Sequence, residues 1–283
     1  MRKNSKMKKN SNDNKAKSKN ADDFSELKKI ARELRQGGFK IAIEFGEGHI
    51  APSFSPIEVI VTLYERVIKP ENKDKFILSK GHGCLGWYCM LRRKGYSPNV
   101  SPHPDIEACQ GIECTTGSLG HGLPIGVGMA FARKLKKEKG RIFVLIGDGE
   151  CQEGTIWESL NLARRYKLDN LTIILDHNKL QALSSIKEIQ DEQNFKAKFE
   201  AFGCNTTEVD GHDFGQLIDA FDEKHIIQEM PRTIIAHTIK GKGLSFMENT
   251  PKWHTGIPVG EELEQAYKEL GIKTEKKTKA DKK

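Results

Sequence analysis

Much that would assign this 283-residue chain quickly is missing from it. No apolar run approaches the roughly 20 residues that span a bilayer, and the first 20 residues hold no hydrophobic core of a secretory signal. The six cysteines, Cys84, Cys89, Cys109, Cys114, Cys151 and Cys204, include no C-x-x-C spacing, which argues against a zinc ribbon or a redox pair. Reduced thiols in the cytoplasm are therefore the expectation. Two nucleotide signatures are absent as well. G-x-G-x-x-G would need glycine where Gln152 stands, and in "IKGKGLS" Lys242 is followed by Gly243 rather than Ser or Thr.

With 37% hydrophobic and 30% charged residues, the composition is that of a soluble globular protein. The net charge of +7 misleads until it is located. Residues 1–20 carry eight Lys/Arg against one Asp, and residues 272–283 carry six Lys against two acids, so the stretch between them is acidic. Apart from Met1 and Met7, the first 20 residues have nothing large and apolar to bury. They are expected to be a disordered basic tail over 1–22, with a second basic tail over 272–283. One domain over 23–271 is expected between them, with neither nucleic acid nor membrane as a partner.

Asp23 precedes Phe24, Leu27, Ile30, Ala31 and Leu34 at helical spacing, and Gly37-Gly38 reads as the stop. "SPIEVIVTLYERVI" (55–68) reads as a second helix with Ser55 as N-cap, Pro56 in the first turn and Glu58 completing a capping box. Apolar runs then follow at 76–79, 141–146, 171–176, 206–210 and 232–239. Helical patterns near 84–94, 120–138, 155–167, 192–202 and 213–225 separate them. The alternation predicts an α/β fold: a doubly wound parallel sheet with helices on both faces, its ligands outside the carboxyl ends of the strands.

One loop at such an end poses a problem. "VLIGDGECQEG" (144–154) sets Asp148 between Gly147 and Gly149, where a bare carboxylate would repel any phosphate that the glycines admit. A divalent cation between acid and phosphate resolves this, because Mg²⁺ takes oxygen ligands from one or two side chains, phosphates and water. The strand at 171–176 ends at His177-Asn178, and a right-handed crossover sets it parallel to its predecessor. Asp148, Asn178 and a main-chain carbonyl, that of Leu180, are the expected ligands of Mg²⁺, or of Ca²⁺ or Mn²⁺.

A GDG followed about 30 residues later by Asn resembles the thiamine diphosphate signature. "FILSKGH", "TTGSLGHG", "GDGECQEG", "LDHNKLQ", "EVDGHD" and "KGKGLSFMEN" followed by "WH" resemble transketolase, in transketolase order, over roughly residues 24–270. The resemblance implies a thiamine diphosphate-binding fold and, on loops, four functional histidines. His82 and His254 contact the cofactor diphosphate, while His49, His103 and His254 face sugar hydroxyls and move protons. Gly117 and Leu119 match positions at the aminopyrimidine and thiazolium, and Gly147, Gly149 and Asn178 complete the cofactor set. Glu153 matches an interface or supporting carboxylate, equally explained by its place in the first turn of a helix. Two departures stand out: His121 where the family more often has Gln, and Ala51-Pro52 beside His49.

The resemblance also implies a missing half. In the family, the glutamate that helps to activate the cofactor lies on a second, pyrimidine-binding domain, and this chain ends at Lys283 where that domain should begin. The expectation is the diphosphate-binding subunit of a two-chain transketolase, moving a two-carbon ketol unit from a ketose to an aldose. It would act with a complementary C-terminal subunit in an α2β2 assembly, on sugars or sugar phosphates. The α-subunit of a 2-oxo acid dehydrogenase and a non-catalytic cofactor-binding scaffold are the rival readings.

Overall fold

The computed structural model describes residues 4–190 and 193–273, with side chains from Phe24 onward. Of the tails expected over 1–22 and 272–283, residues 1–3 and 274–283 lie outside that description; the backbone is helical from Asn4.

Five strands, β1 (Lys75–Leu78), β2 (Ile142–Gly147), β3 (Leu171–His177), β4 (Asn205–Asp210) and β5 (Arg232–His237), form one sheet in the order β1-β2-β3-β5-β4. All four pairings are parallel. β2 is buried along its whole length, as a central strand covered on both sides must be. Its side chains alternate between two cores. Phe143 and Leu145 join one with Ile174, Ile234 and Ala236, whereas Ile142, Val144 and Ile146 join the other with Ile173 and Ile235.

Helices cover both faces. α1 (Asn4–Phe45), α3 (Ile57–Thr62), α4 (Leu85–Arg93) and α9 (Phe214–Phe221) supply Leu27, Ile60, Leu91 and Leu217 to the first core. α5 (Gly122–Lys136), α6 (Gly154–Arg165) and α8 (Phe195–Ala201) supply Val127, Leu160 and Phe199 to the second. The doubly wound parallel sheet is the predicted one, its strands and crossover helices falling close to their predicted ranges. Among the described residues three α-helices have no counterpart in the sequence reading: α2 (Ile50–Phe54), α7 (Ile186–Gln190) and α10 (Glu261–Leu270).

Two local readings need correction. Gly37 and Gly38 do not stop α1; a Cβ on Gly37 would come within 2.6 Å of Cys89 Sγ, and one on Gly38 within 3.3 Å of the Gly86 nitrogen. These glycines let α1 pass close over α4. The stop is Gly46, at φ +74°, whose N–H returns to the Ala42 carbonyl at 3.0 Å. The capping box at 55–58 does not form either. Ser55 donates instead to Asp176 at 2.5 Å, and Glu58 receives Arg35 at 2.7 and 2.9 Å and meets His212 at 2.9 Å. The expected continuous helix is α3 followed by a π-helical turn over Leu63–Val67.

Candidate active site

Four neighbouring strand ends deliver the site. Lys80 and His82 follow β1, Asp148 follows β2, Asn178 follows β3 and Lys240 follows β5. Gly147 pairs with Asp176 in the sheet register, so Asp148 and Asn178 leave adjacent tips on the same rim. The crossover between β2 and β3 is α6, as the sequence predicts. These residues line one cavity of about 290 Å³ together with His49, His103, Gly117, Leu119, Gly147, Gly149, Leu180 and His254. Every residue that the sequence nominates for metal, cofactor or sugar reaches it.

Asp148 is 2% exposed. Its two oxygens accept the N–H groups of Gly149 at 2.8 Å and Lys179 at 2.5 Å, and among the described residues no cationic side chain pairs with it. Burial, then the charge of Asp176, pushes its carboxyl up to about 7. A carboxylate so placed is relieved by a cation. Asn178 turns its amide nitrogen toward Asp176 at 3.3 Å, and its oxygen accepts the Leu180 N–H at 3.1 Å. Among the described residues no three His, Cys, Asp or Glu side chains gather around a common point. An ion here would therefore draw on one carboxylate plus amide and main-chain oxygens, a set that suits Mg²⁺ beside phosphates.

The glycines behave differently from expectation. Gly147 N–H is taken by Glu150 at 3.0 Å and Gly149 N–H by Asp148, so protein carboxylates already hold both donors. Positive charge comes from two buried lysines that sequence reasoning missed. Lys80 pairs with Asp176 at 2.5 Å and donates to the Pro52 carbonyl at 3.1 Å. Lys240 donates to the Gln181 carbonyl at 2.8 Å, and its Nζ lies 3.0 Å from His254 Nδ1. Burial, then Lys80, lowers Lys240 to about 8. The available signal was positional: each lysine comes one or two residues after an apolar strand run, at the rim. Asp176 and Glu150 were also missed. Asp176 collects Ser55, Lys80 and Thr238, and Glu150 ties Ser79 and the Gly120 N–H to the loop after β2.

Four imidazoles form the outer wall. His49 stacks edge-on with His82 and His254 at ring separations of 5.3 and 5.4 Å and lies 6.0 Å from His103; His82 and His254 are 5.2 Å apart. Backbone pairing explains the meeting of residues so distant in sequence. His49 forms a bridge with Gly256, whose N–H reaches the Gly48 carbonyl at 3.0 Å. Gly117, at φ +144°, packs so tightly on His103 that a Cβ would touch its ring at 3.0 Å. Burial lowers His49, His82 and His254, the last to about 3, so these rings are neutral at neutral pH.

Several other polar residues near these words of the sequence lie off the cavity. His121 is exposed, off the cavity, with Nδ1 3.0 Å from the Leu119 carbonyl. Glu153 and Glu158 are exposed and line no part of it. His212 binds Glu58 and accepts the Ile239 N–H at 2.9 Å, a structural task. Cys151 is buried, and burial drives its thiol well above the usual range. At the Ala51-Pro52 departure the Pro52 main-chain carbonyl, a group that any residue supplies, accepts Lys80, so this contact does not explain the departure.

The family model described as "Transketolase, thiamine diphosphate binding domain" matches residues 28–282. Over 272 residues the chain is 39% identical to an apulose-4-phosphate transketolase subunit from Actinobacillus succinogenes, covering 87% of this chain and 96% of that protein. It is 37% identical over 224 residues to the 6-deoxy-6-sulfo-D-fructose transketolase subunit SqwG of a Clostridium species, covering 72% and 82% respectively. Its fold matches the crystal structure of transketolase from Campylobacter jejuni with a TM-score of 0.78 at 28% identity, over 87% of this chain and 42% of that one. The chain thus spans about two fifths of the length of that solved transketolase.

Proposed function

Because the chain belongs to the transketolase family, as its thiamine diphosphate-binding domain, we propose that it is the diphosphate-binding subunit of a two-subunit transketolase. The reaction moves a two-carbon ketol unit from a ketose to an aldose. The observation that carries this reading is the convergence of four strand ends on one cavity, with the Asp148 carboxylate buried there and, among the described residues, no side-chain cation on it.

Asp148, Asn178 and the Leu180 carbonyl would hold a divalent ion, Mg²⁺ by their chemistry, with Ca²⁺ or Mn²⁺ as substitutes. Lys80, Lys240, His82 and His254 would face the diphosphate, and Gly117 and Leu119 the rings. Thiamine diphosphate, when bound, supplies the electron sink for cleaving and forming the carbon–carbon bond. His49, His103 and His254 would orient the sugar hydroxyls and manage their protons.

The partner is a complementary chain with the pyrimidine-binding domain, in an α2β2 assembly. Two named relatives are transketolase subunits and match this chain over most of their length, which supports a split enzyme. Exposed Ile125 on α5, Leu162 on α6 and Tyr166 just after α6, with open space above Gly128, suit contact with a second subunit. Six unpaired cysteines fit a cytoplasmic setting. The relatives' names, apulose-4-phosphate and 6-deoxy-6-sulfo-D-fructose, mark the sugars that an assay has to include alongside ordinary ketose phosphates. The test is ketol transfer by the chain alone and mixed with its partner, given thiamine diphosphate and Mg²⁺. Transfer is expected only in the mixture; strong transfer by the isolated chain would overturn the two-subunit reading.

A further inference from the structure

We propose that Lys240 is a positioning residue that holds His254 as its Nε2–H tautomer, so that this imidazole offers the cavity a hydrogen-bond donor and not a proton acceptor. The consequence for ketol transfer rests on the function proposed above; the tautomer does not.

The geometry leaves little choice. Lys240 Nζ lies 2.8 Å from the Gln181 carbonyl oxygen and 3.0 Å from His254 Nδ1. A carbonyl only accepts, and an ammonium has three donors and no lone pair. The charged lysine therefore donates to both, and the Nδ1 lone pair is occupied. In a neutral imidazole the proton must then sit on Nε2. Lys240 is 1% exposed, so water does not compete freely for its hydrogens.

The groups around the pair favour the same state. Lys240, Lys80, His49 and His82 surround His254, and no carboxylate pairs with it among the described residues. Adding a second proton would build an imidazolium against an ammonium that already points at it, and burial with Lys240 keeps the ring neutral far into acid. Asp176 and, when ionised, Asp148 are the acidic groups near Lys240; they help it to stay charged, and with a value of about 8 it is mainly an ammonium at neutral pH.

The division of labour among the histidines follows. His254 donates to a sugar or diphosphate oxygen. Any step that needs a proton taken up falls to His49 and His103, whose ring nitrogens have no protein hydrogen bond among the described residues. Toward the sugar, sequence reasoning gave all three rings the same task, because nothing in "KWHTG" reveals a lysine at Nδ1.

The test is long-range ¹H–¹⁵N NMR of the full chain with labelled histidine, without cofactor, sugar or partner, from pH 5.5 to 7, where Lys240 is charged. His254 signals are identified by their loss in H254Q. The expected spectrum has an unprotonated Nδ1 and a protonated Nε2, constant across the range. In K240M this single-tautomer pattern is lost and protonation begins at higher pH, while K240R restores it. A wild-type Nδ1–H signal, titration of His254 within the range, or a K240M spectrum identical to wild type would overturn the proposal. The wild-type spectrum decides even if K240M fails to fold. A failed transfer assay alongside an Nε2–H spectrum would instead count against the function alone.

Discussion

Lys179 donates its backbone N–H to Asp148 at 2.5 Å while sitting in the left-handed region at φ +68°. One strained residue thus ties the tip of β3 to the carboxylate at the tip of β2. It also turns the chain between Asn178 and Leu180, the other two groups proposed to bind the metal.

That strain can be tested by exchanging the side chain for one that tolerates or resists a positive φ. Lys179→Gly should keep thiamine diphosphate and Mg²⁺ affinity close to wild type. Lys179→Val should destabilise the protein by about 1–2 kcal/mol and weaken cofactor binding, because β-branched residues avoid this region. Urea unfolding and calorimetry read the two effects; equal affinities for both variants would show that the turn is not needed.

The buried cluster of Arg35, Glu58 and His212 predicts an acid limb in stability. Burial alone would raise Glu58, but the Arg35 guanidinium and the His212 hydrogen bond outweigh it and hold the carboxyl at about 2. A depressed folded-state value contributes stability that is complete above the unfolded value and lost as pH falls through the folded one. That contribution, about 3 kcal/mol, should disappear between roughly pH 4.5 and 2. In E58Q this dependence should flatten. Arg35→Met, which strands a buried carboxylate, should cost about 3–5 kcal/mol at neutral pH by urea unfolding.

Gly37 lies mid-helix, where alanine ordinarily stabilises by up to about 1 kcal/mol. Here the added Cβ would meet Cys89 Sγ at 2.6 Å. Gly37→Ala should therefore destabilise by about 1–3 kcal/mol, and adding Cys89→Ala should recover much of the loss. Thermal unfolding of the single and double variants checks it.

His121 differs from the glutamine that the family more often has. Its ring is exposed and turned to the Leu119 carbonyl, away from the cavity. His121→Gln should leave cofactor affinity unchanged by calorimetry. A clear gain or loss would mean that the ring moves into the site when ligand binds.

What the sequence disclosed depended on how local each signal was. Asp148 and Asn178 could be paired in advance because an apolar strand, a helix and another apolar strand admit one crossover hand. Gly37-Gly38 could not be read correctly, since glycines that stop a helix and glycines that admit a neighbouring helix look alike until Cys89 is known to lie opposite. Ser55 and Glu58 have capping-box spacing, yet Asp176 and Arg35, far away in sequence, claim them. Lys80 and Lys240 sit in words that drew notice for their glycines and histidines. Their near-complete burial depends on carbonyls of Pro52 and Gln181, and no local pattern encodes that.

The buried Asp148 carboxylate at the rim is proposed to hold a divalent ion against the cofactor's phosphates. The most direct test is calorimetric titration of thiamine diphosphate, with saturating Mg²⁺, into wild type and Asp148→Asn. The predicted result is an affinity loss of more than about tenfold, with the unfolding midpoint unchanged or raised because a buried charge has been removed. Equal affinity in the two proteins would contradict it.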